Sequence, residues 1–138
     1  MKHYYFAYGS NTNVKQMAER CPNAVCLGNA YIDGYAFRWR DYADIEISED
    51  DYVIGVLWEI NDFHLSCLDY YEGFPRLYTR QKVVINHLNE KLLGWTYLMV
   101  NQNVEIQPNS KYMESVYDGY KQNDLSEDQL DKGLDRLF

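Results

Sequence analysis

Apolar and polar positions alternate with two periods along this chain. Tyr4-Tyr5-Phe6-Ala7-Tyr8 is an apolar, aromatic run that stops at Gly9-Ser10-Asn11, and an amphipathic stretch from Asn13 to Arg20 follows at once. That pattern predicts a strand, a tight turn and a helix start. Gly9 is expected to take positive φ and, having no Cβ, to let a ligand come close. Pro22 then marks a break. Val25–Asp33, Ala36–Trp39 and Ile45–Ile47 read as short strands separated by Gly28, Gly34 and an acidic turn. Val53–Ile60 is strand-like with Gly55 in its middle, which permits a bulge or a close backbone approach.

Asn61-Asp62 is a good helix N-cap, and Phe63, Cys67, Leu68 and Tyr71 recur at helical spacing behind it. Gly73 should stop that helix and Pro75 forbids its continuation. Leu77–Ile85 and Leu92–Val100 are two longer strands around a polar turn, Asn86–Lys91. Pro108-Asn109-Ser110 opens a helix with Met113, Val116, Tyr117 and Tyr120 on one face. Ser126-Glu127-Asp128-Gln129 reads as a capping box for a last helix with Leu130, Leu134 and Leu137 as its stripe. Six or seven strands with helices at the start, middle and end make an α+β chain, expected to form a small, mixed, curled and barrel-like sheet with flanking helices.

Composition narrows the function classes. A chain of 138 residues is expected to be one domain, residues 1–138, burying about two-thirds of its unfolded surface. No apolar run approaches the roughly 20 residues of a membrane span, and no signal core follows Met1-Lys2-His3, so no membrane partner and a cytoplasmic location are expected. A net charge of −8 argues against nucleic acid as a partner. Cys21, Cys26 and Cys67 form no C-x-x-C pair and are expected to be reduced, and the scattered His3, His64 and His87 suggest no metal. The acidic run Asp41, Asp44, Glu46, Glu49, Asp50 and Asp51 reads as a solvated hairpin. The 14 tyrosines suit core edges, interfaces and polar pockets alike.

Two places carry candidate chemistry. Glu72 should sit at the last turn of the middle helix, where the negative end of the helix dipole disfavours ionisation and makes its carboxylate a better base near neutral pH. A solvated glutamate without a role is the other reading of the same position. Asp69, one turn earlier, suggests a carboxylate pair, although two acids at that spacing are more often simply solvated. At the first turn, free N–H groups at a helix start favour a carboxylate or oxyanion. Ser10 and Asn11 serve better as donors and turn-formers than as nucleophiles, because no histidine is visibly placed to activate Ser10.

In combination, Phe6-Ala7-Tyr8-Gly9-Ser10-Asn11, Gly55-Val56-Leu57-Trp58, Leu68-Asp69-Tyr70-Tyr71-Glu72-Gly73 with Tyr78 soon after, Tyr97-Leu98-Met99 and the Pro108…Tyr112 pair resemble the γ-glutamylcyclotransferase family over nearly the whole chain. The resemblance implies a small mixed barrel with flanking helices, Glu72 as acid/base, Tyr8, Gly9, Ser10 and Asn11 as the substrate-binding loop, and Tyr78, Tyr97 and Tyr112 as pocket tyrosines. It implies a small-molecule γ-glutamyl substrate cyclised to 5-oxoproline, with no metal or organic cofactor, and it admits a homodimer that nothing in the residues demands. An enzyme selective for γ-glutamyl amines and a non-catalytic binding module are the alternatives. Phe74-Pro75-Arg76-Leu77 departs from the corresponding loop of some members, which makes acceptor specificity the open property. Arg76 or Arg80 in the pocket would favour an acceptor bearing a carboxylate.

Overall fold

The computed structural model describes all 138 residues. Five strands close into a barrel in the order β1-β3-β2-β4-β5. They are β1 (Lys2–Ala7), β2 (Val25–Trp39), β3 (Ala43–Asn61), β4 (Tyr78–His87) and β5 (Glu90–Met99). Helices α1 (Val14–Arg20), α2 (Asp62–Tyr71), α3 (Ser110–Gln122) and α4 (Asp128–Asp135) flank it, so the chain is α+β as expected. None of them is long and apolar enough to cross a membrane.

The expected six or seven strands are five because neither Gly34 nor the acidic stretch before Val53 broke the ladder. Gly28 (φ +107°) and Gly34 (φ +85°) sit where the register between β2 and β3 shifts, so each takes up an irregularity within a continuous strand. The chain reverses at Asp41, φ +66°, and the exposed Glu49-Asp50-Asp51 bulge out opposite Gly34. The acidic run is therefore split. Asp44 is fully buried and accepts hydrogen bonds from Arg40 Nη1 (2.7 Å), the Met99 N–H (2.8 Å) and Gln102 Nε2 (3.0 Å). Glu46 pairs with Arg40 and Arg38. A buried carboxylate requires such partners, and these anchor the start of β3.

The β4–β5 hairpin turns on Leu88-Asn89, both at positive φ, the two-residue geometry that matches strand twist. β1 runs antiparallel to β3 over its whole length and touches β5 in parallel at Tyr5 and Trp95, which closes the barrel. Gly55 makes that closure possible: a Cβ there would stand 2.2 Å from the Ala7 carbonyl oxygen and 2.7 Å from Phe6 Cζ. The core is filled by Phe6, Ile32, Trp39, Ile45, Leu57, Ile85 and Tyr120, all essentially inaccessible.

The helices are capped as their sequences suggest, with one exception. Asn13, Asn61 and Asn109 each accept from the third residue beyond, at 2.8–3.2 Å. At α2 the cap is reciprocal, because His64 Nδ1 accepts the Asn61 N–H while His64 Nε2 meets the Pro22 carbonyl. The expected box at Ser126–Gln129 does not form. Gln129 instead donates to the Ile54 carbonyl and the Tyr120 hydroxyl and accepts from the Ile54 N–H, docking α4 on the barrel.

Gly55→Ala is expected to lower the unfolding free energy by about 3 kcal/mol, read from urea midpoints at unchanged slope. Gly34→Ala meets nothing within 4 Å and should cost about 1 kcal/mol through its positive φ alone. A larger loss at Gly34 than at Gly55 would contradict the role given to barrel closure.

Candidate functional site

The end of β1 feeds Tyr8-Gly9 and a single 3-10 turn, Ser10–Thr12, closed by the Thr12 N–H donating to the Gly9 carbonyl and the Asn13 N–H to that of Ser10. The N–H groups preceding this closed turn have no intrahelical acceptor. Gly9 is at φ −115°, not the positive φ expected of it. What its missing Cβ provides is room, since that atom would lie 2.8 Å from Ala43 Cβ and 3.5 Å from the Tyr112 hydroxyl. The turn faces the C-terminal end of α2, the start of β4, the end of β5 and the first turn of α3 across a narrow cleft. All eight residues singled out from the sequence, Tyr8, Gly9, Ser10, Asn11, Glu72, Tyr78, Tyr97 and Tyr112, wall this cleft, and Tyr5 and Ala43 complete it.

Glu72 is the C-cap of α2. Gly73 follows at φ +67°, its N–H donating to the Tyr70 carbonyl while the Phe74 N–H donates to that of Asp69. This pair of bonds is the Schellman arrangement, and it needs a residue at ease with positive φ. It turns the chain away so sharply that the Glu72 side chain is directed into the cleft. The residue as a whole is half-buried, but its carboxyl lies inside, where Asn11 Nδ2 donates to Oε1 at 3.1 Å. Burial pushes the carboxyl up from 4.5 to about 7, against the opposing pull of the Arg20 charge and the Asn11 hydrogen bond. Burial, rather than the helix dipole expected from the sequence, is the main cause. A carboxylate poised there is half ionised at neutral pH and suits proton transfer.

The phenols divide into two groups. Tyr8 donates to the Tyr97 carbonyl (2.6 Å), Tyr78 to the Ala43 carbonyl (2.5 Å) and Tyr97 to Asp69 Oδ1 (2.7 Å). Their protons are committed to the protein. Tyr5 and Tyr112 instead accept, from Asn11 Nδ2 (2.9 Å) and from the Ala43 N–H (3.1 Å) with the Ser10 hydroxyl beside it. Burial raises all five phenols, Tyr112 to about 12, so these hydroxyls keep their protons and two remain free to donate into the cleft. The structure groups no three His, Cys, Asp or Glu side chains that could hold a metal ion.

Other sequence expectations shift. Asp69 is neither solvated nor paired with Glu72: Arg80 Nε (2.8 Å) and the Tyr97 hydroxyl bind it. Arg80 stacks on the Phe74 and Trp95 rings, and neither Arg76 nor Arg80 walls the cleft. The cation whose charge acts on Glu72 is Arg20, which the sequence pattern did not single out. Its Nη1 donates to Asn11 Oδ1 at 2.7 Å, and its guanidinium lies 5.0 Å above the Tyr71 ring. Tyr5 was also missed, because two adjacent tyrosines in a strand give no sign of which one faces the ligand. A wider groove beside the β4–β5 turn is lined by polar groups already satisfied by one another, Lys91 Nζ on Asn86 Oδ1 and Asn86 Nδ2 on the Tyr31 carbonyl.

Comparison with known proteins gives the family and the fold. The sequence profile described as "Gamma-glutamyl cyclotransferase, AIG2-like" matches residues 5–119. The chain is 29% identical over 142 residues to the gamma-glutamylcyclotransferase of Mus musculus, covering 93% of this chain and 75% of that protein. To the Bos taurus protein of the same name it is 28% identical over 134 residues, covering 88% and 71%. A solved structure titled "Gamma-glutamyl cyclotransferase" superposes with a TM-score of 0.85 at 25% identity, over 96% of this chain and 86% of that one.

Because the folded protein holds the Glu72 proton up to about pH 7 and the unfolded chain releases it near 4.5, the folded state binds more protons between these values. Stability contributed by this group therefore falls as pH rises through that window, by up to about 3 kcal/mol, and is flat above it. Glu72→Gln lacks this loss, so its stability relative to wild type should grow from pH 5 to pH 8 in urea titrations. An equal difference at both pH values would show that burial does not raise the carboxyl.

Proposed function

The chain belongs to the gamma-glutamyl cyclotransferase, AIG2-like family, and we propose that it cyclises the γ-glutamyl group of a γ-glutamyl amide to 5-oxoproline, with Glu72 as acid/base. The observation that carries this reading is the Glu72 carboxyl, directed into a buried cleft between the Gly9-Ser10-Asn11 turn and the Tyr5 and Tyr112 phenols and hydrogen-bonded there by Asn11. A cleft built only to bind an anionic glutamyl group has no use for a buried acid.

In the reaction the substrate's own α-amine attacks its γ-carbonyl. A C–N bond forms to close the five-membered lactam, and the γ-amide C–N bond breaks. Binding in a folded-back conformer removes much of the entropy cost, because the step is intramolecular. The α-ammonium must first lose a proton, and the Glu72 carboxylate takes it; protonated Glu72 delivers it to the departing amine. The second proton, released by the ring nitrogen after attack, follows by the same carboxylate, so the amine leaves as its ammonium. Charge developing on the γ-oxygen needs donors that are already in place. The Tyr5 and Tyr112 hydroxyls and the backbone N–H groups of the Gly9–Asn11 turn are the donors this cleft offers, one set for the oxyanion and the other for the α-carboxylate.

The acceptor side favours an amine over an amino acid. Arg80, the cation that would greet an acceptor carboxylate, is held by Asp69 and stacked between aromatic rings, and Arg76 lies outside the cleft. A γ-glutamyl amine places no second carboxylate there.

The test is 5-oxoproline release from a panel of γ-glutamyl-amino acids and γ-glutamyl-amines. Wild type should turn over at least one member, amines in preference, and Glu72→Gln should lower kcat/KM by about 10³-fold. Binding without release by any member would favour a binding module, and release unaffected by Glu72→Gln would remove the carboxylate from the mechanism.

A further inference from the structure

Arg20 does not wall the cleft, yet its guanidinium binds the side chain of Asn11, which does. It lies in the last turn of α1, half-buried, with its guanidinium over the Tyr71 ring at 5.0 Å. Its Nη1 donates to Asn11 Oδ1 at 2.7 Å and approaches Ser10 Oγ at 3.4 Å. With the Gln16 amide assigned in the orientation that satisfies its neighbours, its oxygen accepts from Arg20 Nη2 (2.8 Å) and its nitrogen donates to the Ser10 carbonyl (2.9 Å). Four groups thus hold one guanidinium in place behind the wall of the site.

We propose that Arg20 is a positioning residue that acts on Glu72 through the Asn11 amide. This inference rests on the assignment of Glu72 as the base. A carboxamide has a donor end and an acceptor end of nearly the same shape, so shape alone does not decide which end meets Glu72. A guanidinium can only donate. Its bond to Oδ1 therefore fixes the amide with NH₂ turned to the Tyr5 hydroxyl (2.9 Å) and Glu72 Oε1 (3.1 Å). Turned over, the amide would present oxygen to a carboxylate, and the phenol of Tyr5 would lose its donor. The Asn11 backbone is held separately by Trp58 Nε1 on its carbonyl (3.0 Å), so Arg20 governs the side chain and not the turn.

The charged and titratable surroundings of Glu72 make this cation matter. Tyr5, Tyr8, Tyr78, Tyr97 and Tyr112 face it from the barrel and α3, all protonated. Asp69, one turn back on α2, is neutralised by Arg80, and Asp44, beyond Tyr78, by Arg40. Arg20 is the remaining cation, and its charge opposes the effect of burial on the carboxyl. Tyr71 immediately precedes Glu72, so the same guanidinium also ties α1 to the end of α2.

The experiment follows the Glu72 carboxyl carbon by ¹³C NMR across pH in wild type, Arg20→Met, Arg20→Lys and Asn11→Ala, beside kcat and KM on the best γ-glutamyl substrate. Arg20→Met should raise the Glu72 titration midpoint by at least about half a pH unit and lower kcat roughly tenfold, with KM within about twofold. The acid limb of the pH–rate profile should move with the midpoint. Arg20→Lys, which keeps a donor and a charge, should restore part of both. In the background of Asn11→Ala, Arg20→Met should have much less effect on kcat, since the amide it orients is gone. An unmoved Glu72 midpoint in folded Arg20→Met, or additive losses in the double variant, would overturn the proposal. If Arg20→Met does not fold, an Arg20→Lys midpoint identical to wild type together with full kcat loss would also overturn it. The NMR arm needs no turnover, so an inactive wild type would sink the proposed function and still leave this inference to be decided.

Discussion

At Gly55 the Ala7 carbonyl occupies the place a side chain would need, and the rest of the molecule is arranged around that close approach. β1 is the strand through which the barrel closes, antiparallel to β3 on one side and touching β5 on the other. Gly94 of β5 makes the matching concession, with a would-be Cβ 2.8 Å from the Tyr4 carbonyl. A strand gripped this tightly has little freedom at its end. Its C-terminal continuation, Tyr8 to Asn11, is therefore delivered to the cleft in one place, and the Tyr120 hydroxyl on the Tyr8 carbonyl (2.6 Å) holds it there. Barrel closure and site geometry are the same constraint.

The cleft itself follows from how its polar groups are spent on one another. Tyrosine supplies an apolar body that can be buried and a tip that must be satisfied. Three of the five cleft phenols satisfy that tip with protein acceptors, which makes them walls. The other two accept and so keep a proton to give. The same economy explains Glu72. Its carboxyl is buried deeply enough to hold a proton near neutrality, but one amide donor and one nearby cation keep it from being locked in the neutral form. Full burial without these would give an acid that never ionises, and full solvation would give one that is always ionised.

Much of this was legible in the sequence for local reasons. Helix starts at Asn13, Asn61 and Asn109 and the stop at Gly73 depend on residues within one turn, and all four stand where capping chemistry puts them. The expected box at Ser126 failed because Gln129 found a better partner in Ile54, a strand residue 75 positions away. Gly34 looked like a strand end for a similar reason: a glycine at positive φ ends a strand or bulges within it, and the partner strand decides which. Asp44 looked solvated because nothing near it in sequence announces Met99 and Gln102 as partners.

The sequence by itself determined where the elements flanking the site begin and end and which residues could carry chemistry: a strand running into Tyr8-Gly9-Ser10-Asn11, a helix ending at Glu72, and tyrosines in the later strands and helix. Those follow from period, capping and residue type, which act over a few positions. Only the tertiary structure decided what each group does with its hydrogen bonds. Asn11 reaches Glu72 across 61 positions and Tyr8 reaches Tyr97 across 89, and such pairings set which phenols keep a proton and which cation serves the base. The identity of a side chain limits its chemistry, but the partner that claims its donor or acceptor is chosen by packing between segments that lie far apart in the chain.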